Sequence, residues 1–184
     1  MRVVAGKYRS RQLKTVKSNL TRPTTDKNKE SMFNIIGPFF QGGVVLDLFA
    51  GSGGLGIEAL SRGCDYLYSV DKQYGAFQVV RENLNSLKIE NAQVFKMDYL
   101  KALQKFSEEK IKFDLVFLDP PYGRGLINGI LEFLCAKDML EDGAMIVVEE
   151  LKEVTFDVPA SLHLKKRHEY GITALTILEY GVVQ

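Results

Sequence analysis

Cysteine is scarce in this sequence: Cys64 and Cys135 are the only two among 184 residues. So few thiols argue against a disulfide framework or a cysteine-built metal site, and none of the chemistry below requires a metal. Histidine is equally sparse. His163 and His168 stand alone, far in sequence from every motif below. They read as structural or partner-facing rather than catalytic. Long hydrophobic runs are missing too. No stretch approaches the ~20 apolar residues of a membrane-spanning helix. In the opening MRVVAGKYRSRQLK, charges break each short apolar run, so no secretory leader is expected and the expected compartment is the cytoplasm. Internal repeats and low-complexity tracts are also absent.

What is present fits one globular domain spanning 1–184. The hydrophobic share, 46%, is too high for a disordered chain, and it comes with 26% charged residues. The mean hydropathy is -0.07. Charge is unevenly placed. Residues 1–30 hold nine Lys and Arg against Asp26 and Glu30, a net +7, which leaves −6 on the rest of a chain whose total is +1. A basic extension over 1–40 on an acidic core over 41–184 predicts a polyanionic partner, nucleic acid first of all. Lys7, Arg9, Arg11, Lys14 and Arg22 are its candidate phosphate contacts, with Arg124 further along the chain.

The hydrophobic pattern predicts an α/β fold. Gly6-Lys7 can turn a short N-terminal β-hairpin. Thr25 or Asp26 can cap a helix running to about Ile36, stopped at Gly37-Pro38. Short apolar strands follow at Val44–Phe49, Tyr66–Asp71, Ala92–Met97, Phe113–Leu118 and Ala144–Glu149. Helical stretches alternate with them near Leu55–Ser61, Gly75–Leu87, Leu100–Lys105 and Leu126–Cys135. This rhythm predicts a doubly wound, Rossmann-like, mostly parallel sheet. Leu162–Tyr170 and Ile172–Tyr180 leave no room for a helix between them, so they should close the sheet as an antiparallel pair.

The first strand of that alternation runs into a glycine loop. Asp47-Leu-Phe-Ala-Gly-Ser-Gly-Gly-Leu-Gly places Gly51, Gly53 and Gly56 at G-x-G-x-x-G spacing between strand and helix. Asp71 ends the next strand 20 residues after Gly51, where a carboxylate can accept both ribose hydroxyls of an adenosine. A dinucleotide and S-adenosylmethionine both fit this much. Asp47 favours the second. A carboxylate in an apolar strand is costly to bury unpaired, and the methionine part of S-adenosylmethionine brings a cationic amino group. Asp98 ends the third strand, where it can accept from an adenine amine or cap the next helix.

The fourth strand leads to Asp119-Pro120-Pro121-Tyr122. Two prolines stiffen the turn and remove two backbone donors, leaving a loop that offers acceptors. Such a loop suits an exocyclic amine, and Tyr122 offers a flat face for a base. Asp119, Pro120 and Tyr122 are therefore the candidate catalytic residues.

The glycine loop together with Asp119-Pro-Pro-Tyr resembles class I S-adenosylmethionine-dependent amino-methyltransferases. The segments Arg2-Val-Val-Ala-Gly-Lys-Tyr-Arg-Ser-Arg-Gln-Leu and Arg22-Pro-Thr-Thr-Asp narrow the likeness to the bacterial 16S rRNA guanine-N2 methyltransferases of the RsmD family. The resemblance implies S-adenosylmethionine as cofactor. It implies a guanine N2 amine of 16S rRNA as acceptor, and naked rRNA or a small-subunit particle as partner. It implies that Asp47, Gly51 and Gly53 hold the methionine end, Asp71 the ribose and Asp98 the adenine, with Phe49 also among the cofactor-binding residues. Thr24 and Thr25 would touch the cofactor from the N-terminal side. Asp119 would accept from the target amine and Tyr122 would stack on a base flipped out of its helix. The sequence leaves the oligomeric state open, a monomer included.

Three rival readings bear on the same residues. The tetrapeptide by itself also suits an amino-methyltransferase acting on adenine N6 of DNA or RNA. An NAD-linked oxidoreductase would use the glycine loop and Asp71, but leaves Asp47, Asp119-Pro-Pro-Tyr and the basic extension without a role. A non-catalytic RNA-binding module would not need the intact set of Asp47, Asp71 and Asp119.

Overall fold

A computed structural model describes residues 1–16 and 25–181. Five helices and seven strands follow in chain order: α1 (Asp26–Ile36), β1 (Val44–Asp47), α2 (Gly54–Ser61), β2 (Tyr66–Asp71), α3 (Tyr74–Ser86), β3 (Ala92–Lys96), α4 (Tyr99–Glu108), β4 (Phe113–Leu118), α5 (Leu126–Ala136), β5 (Leu140–Leu151), β6 (Leu162–Tyr170) and β7 (Thr173–Tyr180). They form one sheet in the order β3-β2-β1-β4-β5-β7-β6. The first five strands are parallel, and β7 runs antiparallel between β5 and β6. This is the doubly wound fold with a terminal antiparallel pair that the alternation predicts.

The parallel strands are nearly continuous apolar runs because helices cover both faces. On one face α1, α2, α3 and the N-terminal segment bury Phe33, Ile57, Val80 and Val3 against Val45, Phe117 and Val147. On the other, α4 and α5 bury Phe106 and Leu131 against Leu46, Val116 and Val148. The chain winds outward from β1 to β3, then crosses to β4 and winds the other way. The carboxyl ends of β1 and β4 therefore flank the point where strand order reverses, the usual ligand crevice of an open α/β sheet.

The N-terminal extension doubles back on itself as the expected short hairpin, with Val3 N donating to the Arg11 carbonyl, Ser10 N to that of Val3 and Leu13 N to that of Met1. Arg2 and Gln12 form an isolated antiparallel bridge, and the intervening residues lie as a strap on α2. Gly6 (φ 88°) serves that contact: a Cβ there would fall 1.9 Å from the Ser61 carbonyl oxygen. Two anchors hold the strap. Fully buried Glu58 accepts from the backbone N–H groups of Val4 and Ala5 at 3.0–3.2 Å and from Arg62 Nε at 3.0 Å. Fully buried Lys29 of α1 lies 3.6 Å from the same carboxylate and donates to the Arg2 carbonyl at 2.6 Å. Further along, buried Asn83 of α3 accepts from Lys14 N at 2.8 Å and donates to the carbonyls of Lys14 and Ser52. The extension thus shares one core with the rest of the domain rather than lying beside it.

Candidate active site

Each candidate carboxylate is delivered by a strand end. Asp47 closes β1, Asp71 closes β2, Asp98 follows β3 and Asp119 follows β4. Strand alternation adds a second selection. Asp47 and Asp119 lie on the face shared with Val45 and Phe117, and Glu149 of β5 lies on the same face beside Val147. Three carboxylates therefore gather at the reversal point, beneath Met32 of α1 and Leu55 of α2. Asp119 and Glu149 line one cleft there with Phe117, Val147 and Leu175.

The glycine loop is shaped by backbone needs. Gly51 and Gly53 take positive φ, 56° and 82°, and Gly53 is the N-cap of α2. Asp71 ties the loop down: one carboxylate oxygen accepts from Gly51 N and the other from Gln73 N, both at 2.9 Å. A Cβ on Gly56 would lie 2.6 Å from the Leu67 side chain, so this glycine serves helix–sheet packing. A Cβ on Gly51 would meet nothing within 4 Å. The loop backbone there faces open space that a ligand can occupy.

Asp47 is buried, and burial pushes its carboxyl up to about 7, against the pull of a hydrogen bond from the Gly56 backbone. Among the described residues no cation pairs with it. A buried carboxylate of this kind, an open glycine turn and an acid on the next strand fit an adenosyl cofactor that carries an ammonium group. Phe49 is half-buried and packs against the Tyr99 ring at 5.5 Å, beside Asp98. Asp98 caps α4 by accepting from Leu100 N at 2.9 Å, which leaves its other oxygen for a second acceptor role.

At the Asp119-Pro-Pro-Tyr loop, Pro120 is buried and Tyr122 is 40% exposed. Burial and the neighbouring charges of Glu149, Asp47 and Glu150 raise the Asp119 carboxyl well above the ordinary range. Burial raises Glu149 as well. The Tyr122 hydroxyl donates to Glu149 Oε1 at 3.1 Å. Buried Glu150 accepts from Gly123 N at 3.0 Å and from Leu151 N, pinning the loop to the end of β5. Glu149 and Glu150 are site residues that the motifs do not reveal. Their signal is present in the sequence all the same: two carboxylates ending an apolar strand, as at Asp71.

The other candidates separate. Thr25 caps α1 by accepting from Asn28 N at 3.2 Å. Thr24 and Arg22 lie outside the described residues. Lys7, Arg9 and Arg124 are exposed, and no ion pair holds them among the described residues. Arg11 donates to the Ser86 carbonyl at 3.2 Å, and Lys14 pairs with Glu82 at 2.8 Å, so both basic groups are engaged on α3. Among the described residues, no helix is long and apolar enough to cross a membrane.

Known proteins are similar to this chain in sequence and fold. The family model described as "Conserved hypothetical protein 95" matches residues 1–179. The Bacillus subtilis protein YlbH, provisionally named an rRNA methyltransferase, is 44% identical over 179 residues, covering 96% of this chain and 97% of that protein. The Haemophilus influenzae ribosomal RNA small subunit methyltransferase D is 34% identical over 97% of this chain and 93% of its own length. The solved structure of Escherichia coli YhhF, provisionally named a methyltransferase, superposes with a TM-score of 0.87 at 33% identity, covering 100% of this chain and 99% of that one.

Proposed function

This chain belongs to the family described as Conserved hypothetical protein 95, the RsmD family, and from that premise we propose that it methylates the N2 amine of a guanine in 16S rRNA, using S-adenosylmethionine. The observation that carries the reading is the convergence of Asp47, the Asp71-tethered glycine loop and Asp119 at the point where strand order reverses. The cofactor, when bound, supplies a methyl group already activated on a sulfonium. The chain therefore has mainly to bind, orient and balance charge.

Asp47 would meet the ammonium of the methionine part, and the open turn at Gly51 would admit its backbone. Asp71 keeps lone pairs for ribose hydroxyls beyond the two N–H groups it already accepts. The free oxygen of Asp98 would accept from the adenine amine. Asp119 would accept a hydrogen bond from the target amine, hindering its resonance into the ring and aiming the nitrogen lone pair at the methyl. The neutral amine can attack first and lose its proton afterwards, so no strong base is needed in advance. Tyr122 would stack on the flipped base. Exposed Lys7, Arg9 and Arg124 are available for phosphates.

The test is direct. The protein is incubated with labelled S-adenosylmethionine and unmodified small subunits, naked 16S rRNA or DNA, and the methylated nucleoside is mapped. N2-methylguanine in 16S rRNA is the expected product. N6-methyladenine, or label in DNA alone, would overturn the reading.

A further inference from the structure

β4 and β5 are neighbours in parallel register, with Leu118 opposite Val148. Asp119, just past the end of β4, therefore lies beside Glu149, which is still within β5, and the two line one cleft. Their acceptor capacity is mostly unspent. Oε1 of Glu149 takes the Tyr122 hydroxyl at 3.1 Å, while Oε2 and both oxygens of Asp119 have no hydrogen-bond partner among the described residues. No Lys or Arg pairs with either acid among those residues. Glu150, one position on, is different: it is buried and spends Oε1 on two backbone N–H groups, so it is structural. The cleft is otherwise apolar, with Met32, Leu55 and Leu175 around the acids. Two acids against an apolar wall call for a ligand edge that presents adjacent N–H donors.

Purine edges differ in this respect. Guanine presents N1–H beside the two N–H bonds of its N2 amine, three donors in a row. Adenine sets its amine beside an N1 that is a bare acceptor, and 2-aminopurine sets the same N2 amine beside a bare N1. We propose that Glu149 is a specificity residue whose carboxylate accepts the guanine N1–H while Asp119 accepts from the N2 amine. The assignment rests on the guanine-N2 reading above. Tyr122 joins the two tasks. Its hydroxyl is bonded to Glu149, so the ring that carries the base and the acid that reads its edge are held as one unit. A purine with unprotonated N1 would aim a lone pair at the Glu149 carboxylate and be disfavoured, by roughly 10- to 100-fold if this contact is worth what one base-edge pair usually is.

The experiment exchanges donor and acceptor on both sides. After the target position is mapped, 16S rRNA is assembled by splinted ligation with guanine or 2-aminopurine there. It is offered both naked and in reconstituted subunits to wild type and to Glu149→Gln. Wild type should prefer guanine in kcat/KM by about 10- to 100-fold. The Gln amide can donate to a bare N1, so Glu149→Gln should lose guanine activity and gain on 2-aminopurine, collapsing or inverting the ratio. Calorimetry with S-adenosylmethionine should give wild-type affinity for the variant, showing an intact fold. A guanine to 2-aminopurine ratio unchanged by Glu149→Gln, with both substrates slowed alike, would overturn the role of Glu149 while leaving the guanine-N2 reading standing. Wild type that leaves guanine N2 unmethylated in every substrate would overturn that reading, and this assignment with it.

Discussion

Asp119 and Asp47 sit at opposite sides of the strand reversal, and substitutions should separate their duties. Asp119→Ala is expected to abolish methyl transfer while S-adenosylmethionine binds with little change, because in the proposed reading the side chain would meet the amine rather than the adenosine. Asp119→Asn should keep part of the activity, since its amide oxygen still accepts. A filter assay paired with calorimetry checks both variants. Asp47 adds a pH dependence. Its carboxyl is raised from 3.8 to about 7 in the folded chain, chiefly by burial. Below that range it is neutral and offers no counter-charge to an ammonium. Cofactor affinity should therefore rise as pH increases through about 7, and Asp47→Asn should flatten the profile. The linked stability runs the other way. The folded protein holds this proton more tightly than the unfolded chain, so without ligand Asp47 favours folding fully below about 4 and loses that contribution as pH rises through about 7. The four aspartates were legible in the sequence because each ends an apolar run at a strand–loop junction. Glu149 ends such a run too. No motif marks it, because its role depends on β5 lying beside β4, and that adjacency is a property of the sheet.

At the level of elements, the glycine loop and the helix it opens divide their work. Gly51→Ala would place a side chain at φ 56° and into the open space over the turn. It should cost about 1–2 kcal/mol of stability from backbone strain and lower cofactor affinity beyond that. Gly56→Ala would push a methyl group against Leu67, which has no exposed surface and little room to move. It should destabilise the fold through overpacking while leaving the ligand face intact. Thermal melts and cofactor calorimetry on both variants distinguish the two patterns. α2 also carries Glu58, the anchor of the N-terminal strap. Glu58→Ala would leave Lys29 and Arg62 buried without their counter-charge and two backbone N–H groups without an acceptor. A loss of about 3–5 kcal/mol is expected in urea unfolding. Nothing in Gly-Leu-Gly-Ile-Glu-Ala-Leu-Ser marks that glutamate as buried. In a helix it reads as an ordinary surface acid, and partners far earlier in the chain, Val4 and Ala5 of the strap and Lys29 of α1, close over it.

For the whole molecule, the charge division of the sequence survives in the fold in altered form. The alternation of strands and helices was enough to read the sheet and its antiparallel end. The basic extension was readable as charge but not as a contact surface, because part of that charge is met by α3 and by Asp26. Lys7→Ala with Arg9→Ala should reduce the log–log salt slope of rRNA binding by about 1.4–1.8 units, at ~0.7–0.9 per phosphate contact. Lys14→Ala should reduce it less, since Glu82 already neutralises that group. Binding across a salt series, with cofactor affinity as the unmoved control, decides between them. The strap has one more consequence, which concerns time rather than space. Its partners Glu58, Ser61 and Asn83 lie some fifty to seventy residues downstream of the backbone groups they hold. During synthesis this segment therefore has nothing to dock on until α2, and then α3, has followed it. Such late, long-range closure is slow compared with local helix formation. During synthesis the most basic stretch of the chain would emerge unpaired, beside the rRNA of the machine that is making it.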